Sequence, residues 1–102
     1  RNAEIGASCR IGDRVTIGQN TVVGADCRIG DDSTLERESV YGTGLNVGTN
    51  SFIGKNAEVG NNVVIGDNVD IDRNVFIADG VCVPDGSNYG KDSVIIDTTL
   101  CD

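Results

Sequence analysis

The chain has 102 residues, 16 acidic against 8 basic for a net charge of −8, with 14 glycines, one proline and no histidine. That length holds one small domain, and two tyrosines plus two phenylalanines are little aromatic area for a conventional core. The apolar runs are too short for a membrane span or a signal h-region, and the acidic balance argues against a nucleic-acid partner. Val, Ile, Thr, Asn and Gly favour strand and turn over helix. An initiator Met before Arg1 would not normally be trimmed, so residues 1–102 are expected to be a single domain from a longer chain.

The predicted elements start at Ile5, which opens a six-residue frame. Its first position is filled by Ile5, Ile11, Ile17, Val23, Ile29 and Leu35 in the N-terminal third. Tyr41, Val47, Ile53, Val59 and Ile65 follow in the middle, then Ile71, Ile77, Val83, Tyr89 and Ile95. Sixteen hexads run to Leu100 without an insertion. The second position is Gly in eleven of them, and the fourth is Asn, Asp or Gly in twelve, from Asn20 to Asp92. The fifth is small or aliphatic throughout, from Cys9 to Thr99.

Each position has a physical reason. Asn, Asp and Gly tolerate the left-handed backbone region, so the fourth position marks a turn every six residues. The fifth and first positions are two apart and share one face of a short strand, leaving the sixth to face outward. A chain that turns after each short strand, always with the same side inward, closes into coils that stack by parallel pairing. A β-sandwich would not hold one frame over sixteen units, and the aliphatic ladder argues against a disordered Gly/Asn chain.

The motif [Ile/Leu/Val]-Gly-x-Asn-[small]-x resembles the hexapeptide repeat over nearly the whole chain. The resemblance implies an all-β fold: a single-stranded left-handed parallel β-helix of about five triangular coils, eighteen residues each. The left hand comes only from the resemblance, because parallel crossovers in general favour the right. At about 4.8 Å per coil the prism should be roughly 26 Å long.

Folding the sequence by eighteen sorts the outward residues into columns. One face reads Val22, Val40, Glu58, Phe76, Val94, an apolar stripe broken once. A second reads Thr16, Thr34, Phe52, Asp70, Asn88. The third reads Arg10, Arg28, Asn46, Val64, Cys82, Leu100 and turns apolar at Val64 and Leu100. Contiguous exposed apolar area marks an interface, so the first face predicts a homo-oligomer or packing against another domain. One corner carries Gln19, Arg37, Lys55, Arg73 and Lys91; another carries Asp13, Asp31, Thr49, Asp67 and Asp85. Like charges one strand apart repel. Either column could meet the opposite corner of a neighbour; the plainer reading is a solvated turn. The acidic corner offers too few carboxylates at one point for a hard cation. A two-rung patch at Thr16 and Thr34 is a poor ice-binding array.

Cys9 and Cys27 share an inward column and read as small buried thiols, since parallel side chains hold their Cβ atoms too far apart for an easy bridge. Cys82 should face outward and Cys101 should lie near the end. None has zinc-ligand spacing. Four unpaired thiols suit a reducing cytoplasm.

No catalytic, cofactor-binding or metal-binding residue stands out, and no cofactor is expected. Hexapeptide-repeat acyltransferases use a His general base, and the γ-class carbonic anhydrases bind zinc through three His; this chain has none. The stretch "IDRNVFIADGVCVPDGSNYGKD" at 71–92 resembles the C-terminal β-helix of sugar-phosphate nucleotidyltransferases of the ADP-glucose and GDP-mannose pyrophosphorylase type. In those enzymes the chemistry belongs to an N-terminal nucleotide-binding domain, so the resemblance implies a non-catalytic domain for oligomerisation or domain packing. Two alternatives remain open: a piece of a hexapeptide acyltransferase whose catalytic His lies elsewhere, and a stand-alone or engineered structural solenoid.

Overall fold

A computed structural model describes residues 3–98 and 100–101; Thr99, the last fifth position, lies outside them. Sixteen two-residue strands, β1 to β16 in chain order, form three parallel sheets, and no helix occurs among the described residues. Wall A stacks β1 (Glu4–Ile5), β4 (Val22–Val23), β7 (Val40–Tyr41), β10 (Glu58–Val59), β13 (Phe76–Ile77) and β16 (Val94–Ile95). Wall B stacks β2 (Arg10–Ile11), β5 (Arg28–Ile29), β8 (Asn46–Val47), β11 (Val64–Ile65) and β14 (Cys82–Val83). Wall C stacks β3 (Thr16–Ile17), β6 (Thr34–Leu35), β9 (Phe52–Ile53), β12 (Asp70–Ile71) and β15 (Asn88–Tyr89). Every pairing joins residues eighteen apart, such as Ile11 with Ile29 and Ile53 with Ile71. The body is a β-solenoid of about five turns, measuring 32 × 23 × 21 Å.

The turn chemistry follows the frame closely. Every fourth position from Ser8 to Asp92 has positive φ, including Ser8, Arg14 and Glu38, which lack the usual residue type. Stacking overrides local preference at those three, at some cost in backbone strain. Between coils the backbone donors are used in the strands and in the turns: Val40 N donates to Ala57 O at 2.9 Å, and Asp26 N donates to Ala7 O at 2.9 Å. Second-position glycines permit this spacing. A Cβ on Gly54 would lie 2.6 Å from the backbone nitrogen of Arg73 in the next coil.

The core is the ladder of first and fifth positions, including Ile29, Leu35, Ile53, Ile65, Ile71 and Ile77. Its buried hydroxyls are satisfied between coils. Thr21, Ser33 and Ser51 donate to the carbonyls of Glu36, Gly48 and Gly66 at 2.9, 2.7 and 2.6 Å, which makes polar fifth positions tolerable in an apolar column. Tyr41 is an exception: its hydroxyl is buried without a hydrogen-bond partner.

The cysteines correct one expectation. Cys9 and Cys27 are free thiols, half-buried and buried. Cys82 and Cys101 instead form a disulfide with Cα atoms 5.8 Å apart, so the chain does not carry four unpaired thiols. The frame placed Cys82 outward on wall B, as found, but could not trace the segment beyond β16. That segment brings Cys101 back to Cys82 and sets Leu100 partly buried against the core. Unpaired thiols therefore no longer argue for a reducing compartment. No helix of the described residues is long and apolar enough to cross a membrane.

Candidate functional site

Wall A gathers the four residues of the apolar stripe. Val22 pairs with Val40, Val40 with Glu58, Glu58 with Phe76, and Phe76 with Val94. Each occupies the sixth position, so the pleat that buries Val23, Tyr41, Val59, Ile77 and Ile95 turns these side chains to solvent. Val40 is 51% and Val94 66% exposed. Val40, Glu58 and Phe76 also border a shallow depression of about 270 Å³. Glu58 thus interrupts the apolar run from Val22 to Val94, and a second carboxylate, Glu4, precedes Val22 at the N-terminal end of the column.

The remaining apolar positions do not form a second stripe. Val64 is exposed on wall B between Asn46 and Cys82. Leu100 lies past the last strand, among the side chains packed on the core. Phe52 is exposed on wall C beside Thr34 and Asp70.

The two charged corners differ in a way that residue type alone does not reveal. In the acidic column the carboxylates cap backbone donors of the preceding coil. Asp31 accepts from Asp13 N, Asp67 from Thr49 N and Asp85 from Asp67 N, each at 2.8 Å. The third corner repeats the device: Asn61 accepts from Thr43 N at 3.0 Å, and Asp79 from Asn61 N at 2.8 Å. Charge-assisted bonds of this kind offset the repulsion expected along the column. The available signal was a second-position Gly followed eighteen residues on by Gly-Asp or Pro-Asp, as in Gly48 with Asp67 and Gly66 with Asp85. At Arg37, Lys55, Arg73 and Lys91 the side chains make no ion pair within the described residues. The ion pair found there joins Arg14 to Asp32. The guanidinium holds the Asp32 carboxyl below its ordinary range and is itself raised.

Two buried groups titrate far from their ordinary values: Cys27, beneath a concavity on wall B between Arg10 and Arg28, and Tyr41, inside wall A. Burial, with a contribution from Cys9, pushes the Cys27 thiol up to about 12. Cys9 Sγ accepts from Cys27 N at 3.4 Å and donates to Gly24 O at 3.3 Å, which ties its sulfur to the backbone of the next coil. Burial likewise raises the Tyr41 phenol. Among the described residues no group of three or more His, Cys, Asp or Glu is placed to hold a metal ion.

With this geometry in hand, comparison with known proteins gives one family and several structural neighbours. The family model described as "GMPPB C-terminal domain" matches residues 1–87. PerB from Caulobacter crescentus, solved with CoA and GDP-perosamine, superposes with a TM-score of 0.60 at 25% identity, over 78% of this chain and 49% of PerB. A Bacillus cereus protein proposed to be an acetyltransferase superposes with a TM-score of 0.51 at 18% identity, over 92% of this chain and 72% of that one. The chain thus spans about half the length of PerB. No curated protein matches at a significant level.

Proposed function

The chain belongs to the GMPPB C-terminal domain family, a C-terminal domain of sugar nucleotidyltransferases, and from that premise we propose that it is a non-catalytic scaffold working through wall A. Its occupant would be a second copy or the nucleotide-binding domain of the same enzyme. The observation that carries this reading is the in-register column of Val22, Val40, Phe76 and Val94, solvent-facing on a rigid sheet. A stiff wall loses little conformational freedom on association, which favours binding through a modest area.

Self-association has a specific register. For two copies packed wall to wall about a twofold axis, setting Val40 against Phe76 and Val22 against Val94 aligns all four apolar residues. The same register sets Glu58 against its own copy, where two carboxylates oppose each other. Glu58 thus limits the strength of a symmetric dimer. Light scattering tests this reading: Val40→Glu with Phe76→Glu should give smaller particles with an unchanged β-type circular dichroism. A wild-type chain that stays monomeric at millimolar concentration rules out the second copy as occupant.

The structural neighbours favour a second reading, a portion of an acyltransferase. This chain supplies no histidine for the general base of that chemistry, and its sixteen strands follow one another at six-residue intervals with no loop leaving the coil between them. Acetyl transfer from acetyl-CoA to an amino sugar by the isolated chain would reverse the preference.

A further inference from the structure

Wall B carries an arrangement that the scaffold role leaves unused. Arg10 and Arg28 are direct partners on neighbouring parallel strands, and both are exposed. In-register parallel strands aim the two side chains the same way from backbones about 4.8 Å apart. No other directly paired wall residues among those described carry like charges. The pairing is unfavourable unless an opposite charge lies between them. Arg14, one corner away, shows the alternative the fold allows. Its Nε and Nη2 donate to Asp32, eighteen residues on, at 2.5 and 3.1 Å. Arg10 and Arg28 make no such ion pair with any described residue.

The surroundings supply further donors. Asn46 continues the column one coil on. Ser8 and Asp26, from the adjoining corner, complete a concavity of about 220 Å³ with Arg10, Arg28 and Asn46. Two guanidinium forks, an amide and a hydroxyl therefore border one space, with a single carboxylate on its rim.

We propose that this concavity binds a compact oxyanion of the phosphate class, bridged by Arg10 and Arg28 and further hydrogen-bonded by Asn46 and Ser8. Guanidinium groups match paired phosphoryl oxygens in bidentate fashion, and a bound dianion removes the repulsion between the two cations. The net charge of −8 restricts the ligand to a small anion, since a polyanion would extend over the acidic remainder of the surface. Free phosphate and the end group of a phosphomonoester present the same oxygens.

Titration calorimetry of the 102-residue chain at low ionic strength, with inorganic phosphate in one arm and glycerol phosphate in the other, tests the site. Arg10→Gln and Arg28→Gln should each weaken binding by about tenfold or more. Asp26→Asn should tighten it by a few-fold, because Asn keeps the left-handed turn of this position (φ 61°) and removes the opposing charge. Arg73→Gln, on another corner, should bind as the wild type does, and circular dichroism checks that each variant is folded. Tighter binding in the phosphate arm assigns the free anion, and tighter binding in the ester arm assigns the ester; either supports the site. No wild-type binding in either arm, or equal affinity in wild type and both arginine variants, overturns the proposal.

Discussion

The two ends of the coil are made from one repeat and reach different degrees of burial. At the N-terminal end Ile5 and Ile11 hold inward first positions, yet each is 41% exposed. At the other end Ile95, in the same position of the frame, is 4% exposed. There the chain turns back, Leu100 packs on the core, and Cys101 is tied to Cys82. The contrast shows that a solenoid buries a side chain through its neighbours in the stack. Pointing inward is insufficient without a coil, or something in its place, on both sides.

The strongest way to break this comparison is to remove the same methyl groups at both depths. Ile53→Ala, in the middle of the stack, should cost about 2–5 kcal/mol, whereas Ile5→Ala should cost about 1 kcal/mol or less because its side chain is already partly in solvent. Urea titrations showing equal losses would contradict the nearest-neighbour account. Opening the Cys82–Cys101 clasp comes next. Its ends are 19 residues apart, so Cys82→Ser with Cys101→Ser should lower stability by about 3 kcal/mol in the chain-entropy view. Hydrogen exchange should then quicken in β14 to β16 and stay unchanged in β1 to β3.

Alkaline titration sharpens the comparison further, because Cys27 sits one coil after Cys9 and Tyr41 lies deeper in the stack. Both keep their protons in the folded chain beyond the pH at which the unfolded chain releases them. Stability from these groups is therefore constant below about pH 9, and each group removes about 1.4 kcal/mol per pH unit while it titrates. The decline starts near the unfolded thiol value of 9.0 for Cys27 and near 10.0 for Tyr41. Tyr41→Phe should abolish the second part and add about 1 kcal/mol near neutrality, since it removes a buried hydroxyl with no partner. The smallest effect belongs to the corners. Asp67→Ala, which uncaps Thr49 N, should cost less than about 1 kcal/mol, and Lys55→Ala, on the basic corner, should change thermal unfolding hardly at all.

The six-residue frame made the short strands, the turns, the inward ladder and the outward positions legible, because all follow from one aliphatic every sixth position; the three walls and the eighteen-residue register came from the resemblance to the hexapeptide repeat. The frame also located the turns at Ser8, Arg14 and Glu38, where composition alone would have missed them. The frame set Leu100 in the outward column of wall B, but the chain leaves the frame after β16, so Leu100 packs on the core instead and the clasp at Cys101 was beyond its reach. Columns of like charge were visible as well. Their physical content was harder to see, because a carboxylate in the acidic corner bonds to backbone of the adjoining coil, and the signal for it is a pairing of residues eighteen positions apart rather than a local motif. Arg10 and Arg28 lay in plain view in one column, and what distinguishes them from Arg14 is that neither forms an ion pair with a described carboxylate.

Because eighteen residues return the chain to its starting wall, β1 and β16 lie on the same flank, separated by five steps of about 4.8 Å each. Two bodies attached at β1 and at β16 would be held some distance apart without being rotated to different sides, whereas one joined after Cys101 would leave beside wall B, where the clasp to Cys82 returns the chain. The solenoid would then act as a ruler as much as an adhesive, and adding or removing one whole coil would change the gap while keeping the heading.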